Sequence, residues 1–341
     1  MRPITRRTLL RGTASVPIGA GLAPAIIGRA NAAPLRMKLS SSQANDARYG
    51  NGRVFHDNLV KQLQSAGLGS QITIQFFPDN QLGQEIDVVN SVKLGVIDMM
   101  VTGTSIWADL VPAFGVCDLG YLFKDFPQQT KALDSGAAKP LEDMLLKGAK
   151  VHVAGWAYNF GARSVLCKTP VHGPEDLAGK KIRTLPSTTI TEVLRLMGAA
   201  ATPLAFGEIY TALQAGVLDG LEHDPPTILA SKFFEAAKNY SLTEHIYSPL
   251  GLFLSDVTFQ RIDPKLRDGL LEAAAKAASD TRAHGLTVAG EAIDELKKKG
   301  VTVIDPDRAA FRQRVLPQTD AFVKAHPETK PIVDIIQSTS V

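Results

Sequence analysis

Apolar residues recur along this chain in two rhythms, and their alternation predicts an α/β protein. Leu35 to Ser41 and Gln71 to Phe77 carry alternating or continuous apolar runs bounded by Gly and Pro, which read as strands, while Arg48 to Ala66 between them has helical spacing. The turn Pro78-Asp79-Asn80-Gln81-Leu82-Gly83 leads into a helix over Gln84 to Leu94, and Gly95 to Val101 returns as a strand. Such a βαβα beginning has parallel-sheet character. The rhythm resumes with strands over Val151 to Trp156, Arg163 to Lys168 and Lys181 to Thr184, and helices over Thr188 to Met197 and Phe206 to Ala215. After Pro264 the chain runs from Lys265 to Lys299 without proline, and Leu270, Ala273, Ala274, Ala277, Leu286, Ala289, Ala292, Ile293 and Leu296 mark one helical stripe. A helix of some 35 residues far exceeds the usual length of about 12. It lacks the heptad charges of a coiled coil, so it is expected to lie as a strut across two domains.

Length agrees with that division, because 341 residues exceed a comfortable single core. The expected boundaries are residues 33–158 for a first α/β domain with part of the long helix 265–299, and 159–248 for a second domain with the C-terminal segment 300–341. The opening residues stand apart. Arg6-Arg7, the mild apolar run Ala14 to Ile27 and the small residues Ala30-Asn31-Ala32 read as a twin-arginine export signal, cleaved near Ala32, that sends the protein to the periplasm. The apolar run is broken by Pro17 and Pro24 and is too short to cross about 30 Å of hydrocarbon. Loss of residues 1–32 removes five arginines and no acid, so a formal charge of +3 becomes −2. With no basic cluster interleaved with aromatics, a nucleic-acid partner is not expected. Cys117 and Cys167 sit in apolar surroundings; one disulfide is conceivable after export, but two free buried thiols are expected of a protein folded before export.

Chemistry concentrates between Gly161 and Pro225. Arg163 and Arg183 stand among glycine turns and apolar runs, and a buried arginine needs an anion. Arg183 alternates with Ile182 on a strand, which leaves two readings: a guanidinium fork for a carboxylate, or an exposed strand end. Arg163 either helps bind that anion or forms a structural salt bridge with an acid such as Glu222. His223 offers a donor and an acceptor and Asp224 acceptors only; Asp224 either contacts ligand or caps the helix after Pro225. Glu222, His223 and Asp224 as a metal or acid/base cluster is the weaker reading, because adjacent strand residues face opposite ways. No metal or cofactor is expected. There is no Gly-x-Ser-x-Gly, His-Glu-x-x-His, Walker loop or Gly-x-Gly-x-x-Gly, and the 7 histidines are scattered, so no enzyme is expected.

These residues also carry a resemblance. Leu177-Ala178-Gly179-Lys180-Lys181-Ile182-Arg183, Thr202-Pro203-Leu204-Ala205-Phe206-Gly207-Glu208 and Ala215-Gly216-Val217-Leu218-Asp219-Gly220-Leu221-Glu222 resemble the solute-binding proteins of TRAP transporters, the DctP type, as do the markers Gln81-Leu82-Gly83 and Gly95 to Asp98. The resemblance implies a two-domain periplasmic-binding-protein-like fold that closes on its ligand by a hinge, with Arg183 as the main anchor of a ligand carboxylate and Arg163 beside it. It implies delivery of an organic acid to a small and a large integral membrane subunit, by a protein expected to be monomeric. Where this chain has His223 the family usually has asparagine, and Asp224 is also a departure. Loops after the strands would add Asn45, Thr102 and Thr104, and the crossover between domains Trp156 and Asn159, although Trp156 could equally be core. With these hydroxyl-pairing groups, the expected ligand is a sugar acid such as a uronate or aldonate, with a C4-dicarboxylate as the alternative.

Overall fold

Each sheet of this protein forms where strands can be roofed by helices of matching apolar spacing. The structure is a computed structural model describing residues 33–340, so the export signal read over residues 1–32 lies outside the described residues. In the first lobe β1 (Leu35–Ser40) is followed by α1 (Asn51–Ser65), whose Phe55, Leu59 and Leu63 recur every four residues and are buried. β2 (Ile72–Phe77), α2 (Glu85–Lys93) and β3 (Met99–Gly103) complete the opening unit, and β1 pairs in parallel with both other strands. The chain then passes through α3 (Phe126–Ala132) and α4 (Ala138–Ala149) to β4 (Val151–Tyr158). Asp98 fixes the opening unit: its carboxylate accepts from the Lys38 amide at 2.7 Å and from Thr258 Oγ1 at 2.8 Å.

Residues 159–162 carry the chain into the second sheet at β5 (Arg163–Cys167). There β6 (Lys181–Thr184), α5 (Thr188–Leu196), β7 (Ala200–Pro203), α6 (Ile209–Gln214) and β8 (Gly220–His223) repeat the α/β alternation. α7 (Pro225–Ala230) and β9 (Asn239–Ile246) follow, and Tyr247 and Ser248 return the chain to the first sheet as β10 (Pro249–Ser255). The first sheet thus runs β2-β1-β3-β10-β4, with β10 antiparallel to β3 and β4. After α8 (Asp256–Arg261) and α9 (Pro264–Lys298), β11 (Thr302–Ile304) closes the second sheet as β11-β9-β5-β8-β6-β7.

α9 is the strut that its length implied. Asp263 caps it by accepting from the Lys265 amide, Pro264 occupies its first turn, and Lys297 and Lys298 sit at its negative end. At about 1.5 Å per residue it spans about 50 Å. Its Leu270, Ala273, Ala274 and Ala277 pack into the first-lobe core, and Ala292 and Leu296 into the second. It rides so close over β4 that a Cβ on Gly155 would lie 2.9 Å from the Ala274 carbonyl oxygen. Leu286, read as part of the buried stripe, is 54% exposed. The inward line at that level passes instead through Thr281, Gly285 and Val288, because Gly285 lets Phe160 approach the helix backbone.

The C-terminal segment does not belong wholly to the second lobe as expected. α10 (Arg308–Val315) does, with Phe311 and Val315 in its core, and α11 (Pro317–Ala325) leads away from it. α12 (Lys330–Ser338) crosses back and buries Ile332, Val333 and Ile336 in the first-lobe core. Cys117 and Cys167 are free and buried in cores of different lobes.

Candidate functional site

Strand ends from both sheets converge on one narrow, mostly polar cavity. The first lobe contributes Ser42 just past β1, Glu85 at the start of α2, Thr102 and Gly103 at the end of β3, and Ser105. The second contributes Arg163 at the start of β5, Leu185 past β6, Phe206 past β7 and His223 at the end of β8. Asn51 and Asn159, joined by a 3.2 Å hydrogen bond from Asn51 Nδ2 to Asn159 Oδ1, line it beside the crossover. Most of these positions follow the carboxyl ends of parallel strands, where backbone ends leave room for a ligand.

The two arginines are both buried and differently employed. Arg163, 3% exposed, donates Nε to Glu222 Oε2 at 2.5 Å and Nη2 to Oε1 at 2.7 Å, the parallel fork of a charge-assisted pair. Burial alone would push Glu222 up, but Arg163 and His245, whose Nε2 lies 3.4 Å away, bring it down to about 2. Arg183 is 0% exposed and donates Nε to the Leu204 carbonyl at 2.8 Å, yet Nη1 and Nη2 have no hydrogen-bond partner among the described residues. Burial, with a smaller push from Arg163, pulls it down to about 10 against the attraction of Glu222 and Glu85, so it stays cationic at neutral pH. Arg183 is not itself on the cavity wall in this conformation. It lies against Phe206, which is, with its Cζ 6.0 Å from the ring centroid.

His223 is held from behind. Its Nδ1 is 2.7 Å from Asp224 Oδ2, and Asp224 caps α7 by accepting the Thr227 amide on Oδ1 at 3.0 Å and Thr227 Oγ1 on Oδ2 at 3.0 Å. Burial and the nearby Arg163 lower His223, which is therefore neutral at pH 7, while Asp224 is held low against its burial by His223 and the Thr227 amide. The Asp224 amide also donates to Nδ1 at 3.0 Å, so Nδ1 is taken up on the Asp224 side, while Nε2 has no hydrogen-bond partner among the described residues. On the other wall, Glu85 Oε1 accepts from Ser42 Oγ at 2.9 Å and Thr102 Oγ1 at 3.1 Å.

The structure therefore brings Arg163, Thr102, Asn159 and His223 to one cavity, with Arg183 adjacent and Asp224 one layer back. Three residues expected in the pocket lie elsewhere. Asn45 is exposed and accepts from Arg53 Nη1 at 3.0 Å, because Asp46 folds its loop outward by accepting the amides of Arg48 and Tyr49. Thr104 is turned into the protein and donates to Asp118 Oδ2 at 2.6 Å. Trp156 is part of the first-lobe core, its indole donating to Glu142 Oε1 at 2.9 Å. Conversely, Glu85, Ser42 and Asn51 were not singled out from the sequence. Glu85 reads there as an ordinary acidic residue in the first turn of a helix, and its one signal was that it follows the Gln81-Leu82-Gly83 turn. No group of three or more His, Cys, Asp or Glu that could hold a metal occurs among the described residues, and no described helix is long and apolar enough to cross a membrane.

The sequence pattern of the bacterial extracellular solute-binding proteins, family 7 (DctP), matches residues 55–325. The chain belongs to this family. The 2,3-diketo-L-gulonate-binding periplasmic protein YiaO of Escherichia coli is 33% identical over 91% of this chain and 93% of its own. Among solved structures, a TRAP periplasmic solute-binding protein from Xanthobacter autotrophicus with bound β-D-galacturonate is 30% identical, covers 89% of this chain and 100% of that one, and superposes with a TM-score of 0.83. Another, from Polaromonas, bound to D-erythronate, is 29% identical, covers 90% and 99%, and has the same TM-score of 0.83. The two-lobe fold is thus that of the TRAP solute-binding proteins, which are substrate-binding components and not enzymes.

Proposed function

We propose that this solute-binding protein captures a sugar acid, a uronate or aldonate, in the periplasm and delivers it to the small and large integral subunits of a TRAP transporter. The observation that carries the reading is Arg183, a fully buried cation with two unpartnered Nη groups. A guanidinium in that state lacks its anion, and a planar fork fits a carboxylate bidentately. Arg163 adds positive charge, Arg183 serves as anchor, and Thr102, Asn159 and His223 supply polar partners for hydroxyls. The ligands of the relatives, galacturonate, erythronate and diketogulonate, share that chemistry. Capture proceeds by closure of the two lobes about the crossovers at 159–162 and 247–248, with α9 bridging both. The protein acts as a monomer, and residues 1–32 direct its export by the twin-arginine route.

A thermal-shift panel tests the ligand class. At about a hundred times its dissociation constant a true ligand adds about 2.7 kcal/mol to stability, a shift of several degrees. D-galacturonate, D-glucuronate or D-erythronate should give that shift, and stabilisation by succinate or malate alone would overturn the assignment.

A further inference from the structure

Resting on the sugar-acid reading above, we infer that Glu85 is the residue by which the cavity selects a hydroxylated monocarboxylate over a dicarboxylate. Glu85 is 7% exposed and stands on the first-lobe wall, while the guanidinium groups of Arg163 and Arg183 belong to the second lobe. Its Oε1 is held from two strand ends, by Ser42 at 2.9 Å and Thr102 at 3.1 Å, which fixes the carboxylate without neutralising it. Oε2 has no hydrogen-bond partner among the described residues. A carboxylate oxygen in that position rewards a donor and penalises another anion.

One neighbour on the wall has the same bias. Asn51 is 2% exposed and its Oδ1 is unpartnered, whereas His223 stands across the cavity at the end of β8, on the lobe of the arginines. Acceptors therefore collect on the first-lobe wall, and positive charge is confined to the second lobe. A ligand satisfying both has one carboxylate and several hydroxyls. A second carboxylate would bring no donor to Glu85 or Asn51 and would face the charge of Glu85 in a poorly solvated space. Because the hydroxyl reader and the carboxylate anchor lie on different lobes, only a ligand carrying both functions ties the lobes together.

The test is calorimetry of the purified protein with D-galacturonate and with succinate. Glu85→Gln keeps an oxygen for Ser42 and Thr102 but replaces the free acceptor with a donor. The expected result is opposite movement: D-galacturonate affinity falls about tenfold or more and succinate affinity rises about tenfold or more. Parallel loss of both, or no change in either, overturns the assignment. Should Glu85→Gln fail to fold by circular dichroism, Ser42→Ala decides. It removes one hydroxyl that holds Oε1, and should weaken D-galacturonate about threefold or more with succinate unchanged; equal losses overturn the inference. The parent protein separates the two levels of argument. A parent that binds succinate and no sugar acid overturns the functional reading itself, whereas a parent that binds D-galacturonate, with a Glu85→Gln variant that binds both ligands as the parent does, overturns only the role of Glu85.

Discussion

Arg163 and Arg183 sit on the same sheet, are equally hidden from solvent, and teach opposite lessons about buried charge. Arg163 has its anion within the chain, a forked pair with Glu222 whose carboxyl is held down to about 2. Arg183 has only the Leu204 carbonyl on Nε and two empty Nη groups. The first pair is finished by folding; the second has no carboxylate bonded to it by the fold, which is what the proposed ligand would supply. Burial of an arginine therefore does not by itself mark a ligand site, and what separates structure from function is whether the fold supplies the counter-ion.

The largest expected effect breaks the comparison from the Arg163 side. Glu222→Gln leaves Arg163 without its partner in a buried site and should cost about 3 to 5 kcal/mol, read from urea denaturation. Arg183→Met should do the reverse in ligand-free protein, because it removes a buried cation whose burial outweighs the attraction of Glu222 and Glu85 and which has no carboxylate bonded to it. If Arg183→Met destabilises as much as Glu222→Gln, then Arg183 is structural and the contrast fails.

Asp118 extends the comparison to a buried anion, satisfied by hydroxyls and not by a counter-ion. It accepts from Thr104 at 2.6 Å and from Ser248, in the second crossover, at 2.7 Å, and burial raises it to about 6 despite those bonds. A carboxyl raised on folding binds its proton more tightly when folded, so its contribution is favourable at low pH and is lost as pH rises from about 4 to 6. Glu222 runs the other way: its stabilisation is present above its ordinary range and is lost as pH falls towards 2. Asp118→Asn should remove the first slope only. Across pH 4 to 6 the stability difference between variant and parent should change by something on the order of 3 kcal/mol in the variant's favour. Thermal melts over that range decide it, and parallel curves would mean that Asp118 does not titrate there.

Arg183→Lys sharpens the comparison at the level of binding. Lysine keeps the charge and loses the fork, so the protein should fold normally and bind its sugar acid about thirtyfold more weakly, about 2 kcal/mol by calorimetry. The same exchange at Arg163 should show mainly as lost stability. Unchanged affinity in Arg183→Lys would remove Arg183 from the anchor role.

How much of this was legible in the sequence follows physical lines. The opening βαβ unit, the second α/β unit and the strut were readable because each rests on local periodicity. The arginines stood out because charge among apolar residues is anomalous at short range, and Thr102 and His223 because they end strands. Glu85 was hidden because an acid in a helix's first turn already has a local explanation. Thr104 was misplaced and Trp156 was left open between cleft and core because the facing of a strand or turn residue depends on the partner beneath it, here Asp118 and Glu142, each 14 residues away and outside the local pattern. The return of α12 to the first lobe was likewise set by a core that it meets only after the whole chain has folded.

The smallest expected effect concerns Asp224, for which capping and ligand contact were both open in the sequence. Both of its oxygens are occupied, Oδ1 by the Thr227 amide and Oδ2 by Thr227 Oγ1 and His223, and it is 0% exposed. Like Glu222, then, it is a carboxylate finished by folding, in contrast to Glu85. Asparagine is as good a cap as aspartate, and with its oxygen on the Thr227 amide its NH2 takes the Oδ2 place and can donate to an unprotonated His223 Nδ1, so Asp224→Asn should leave stability within a few tenths of a kcal/mol. Sugar-acid affinity should stay within about threefold of the parent, under about 0.7 kcal/mol. Asp224→Ala removes the cap and should cost about 1 kcal/mol of stability. Calorimetry on the asparagine variant is the discriminating measurement: a tenfold loss of affinity with unchanged folding would put the Asp224 carboxylate in contact with ligand and move it to the unfinished side of the comparison, beside Arg183.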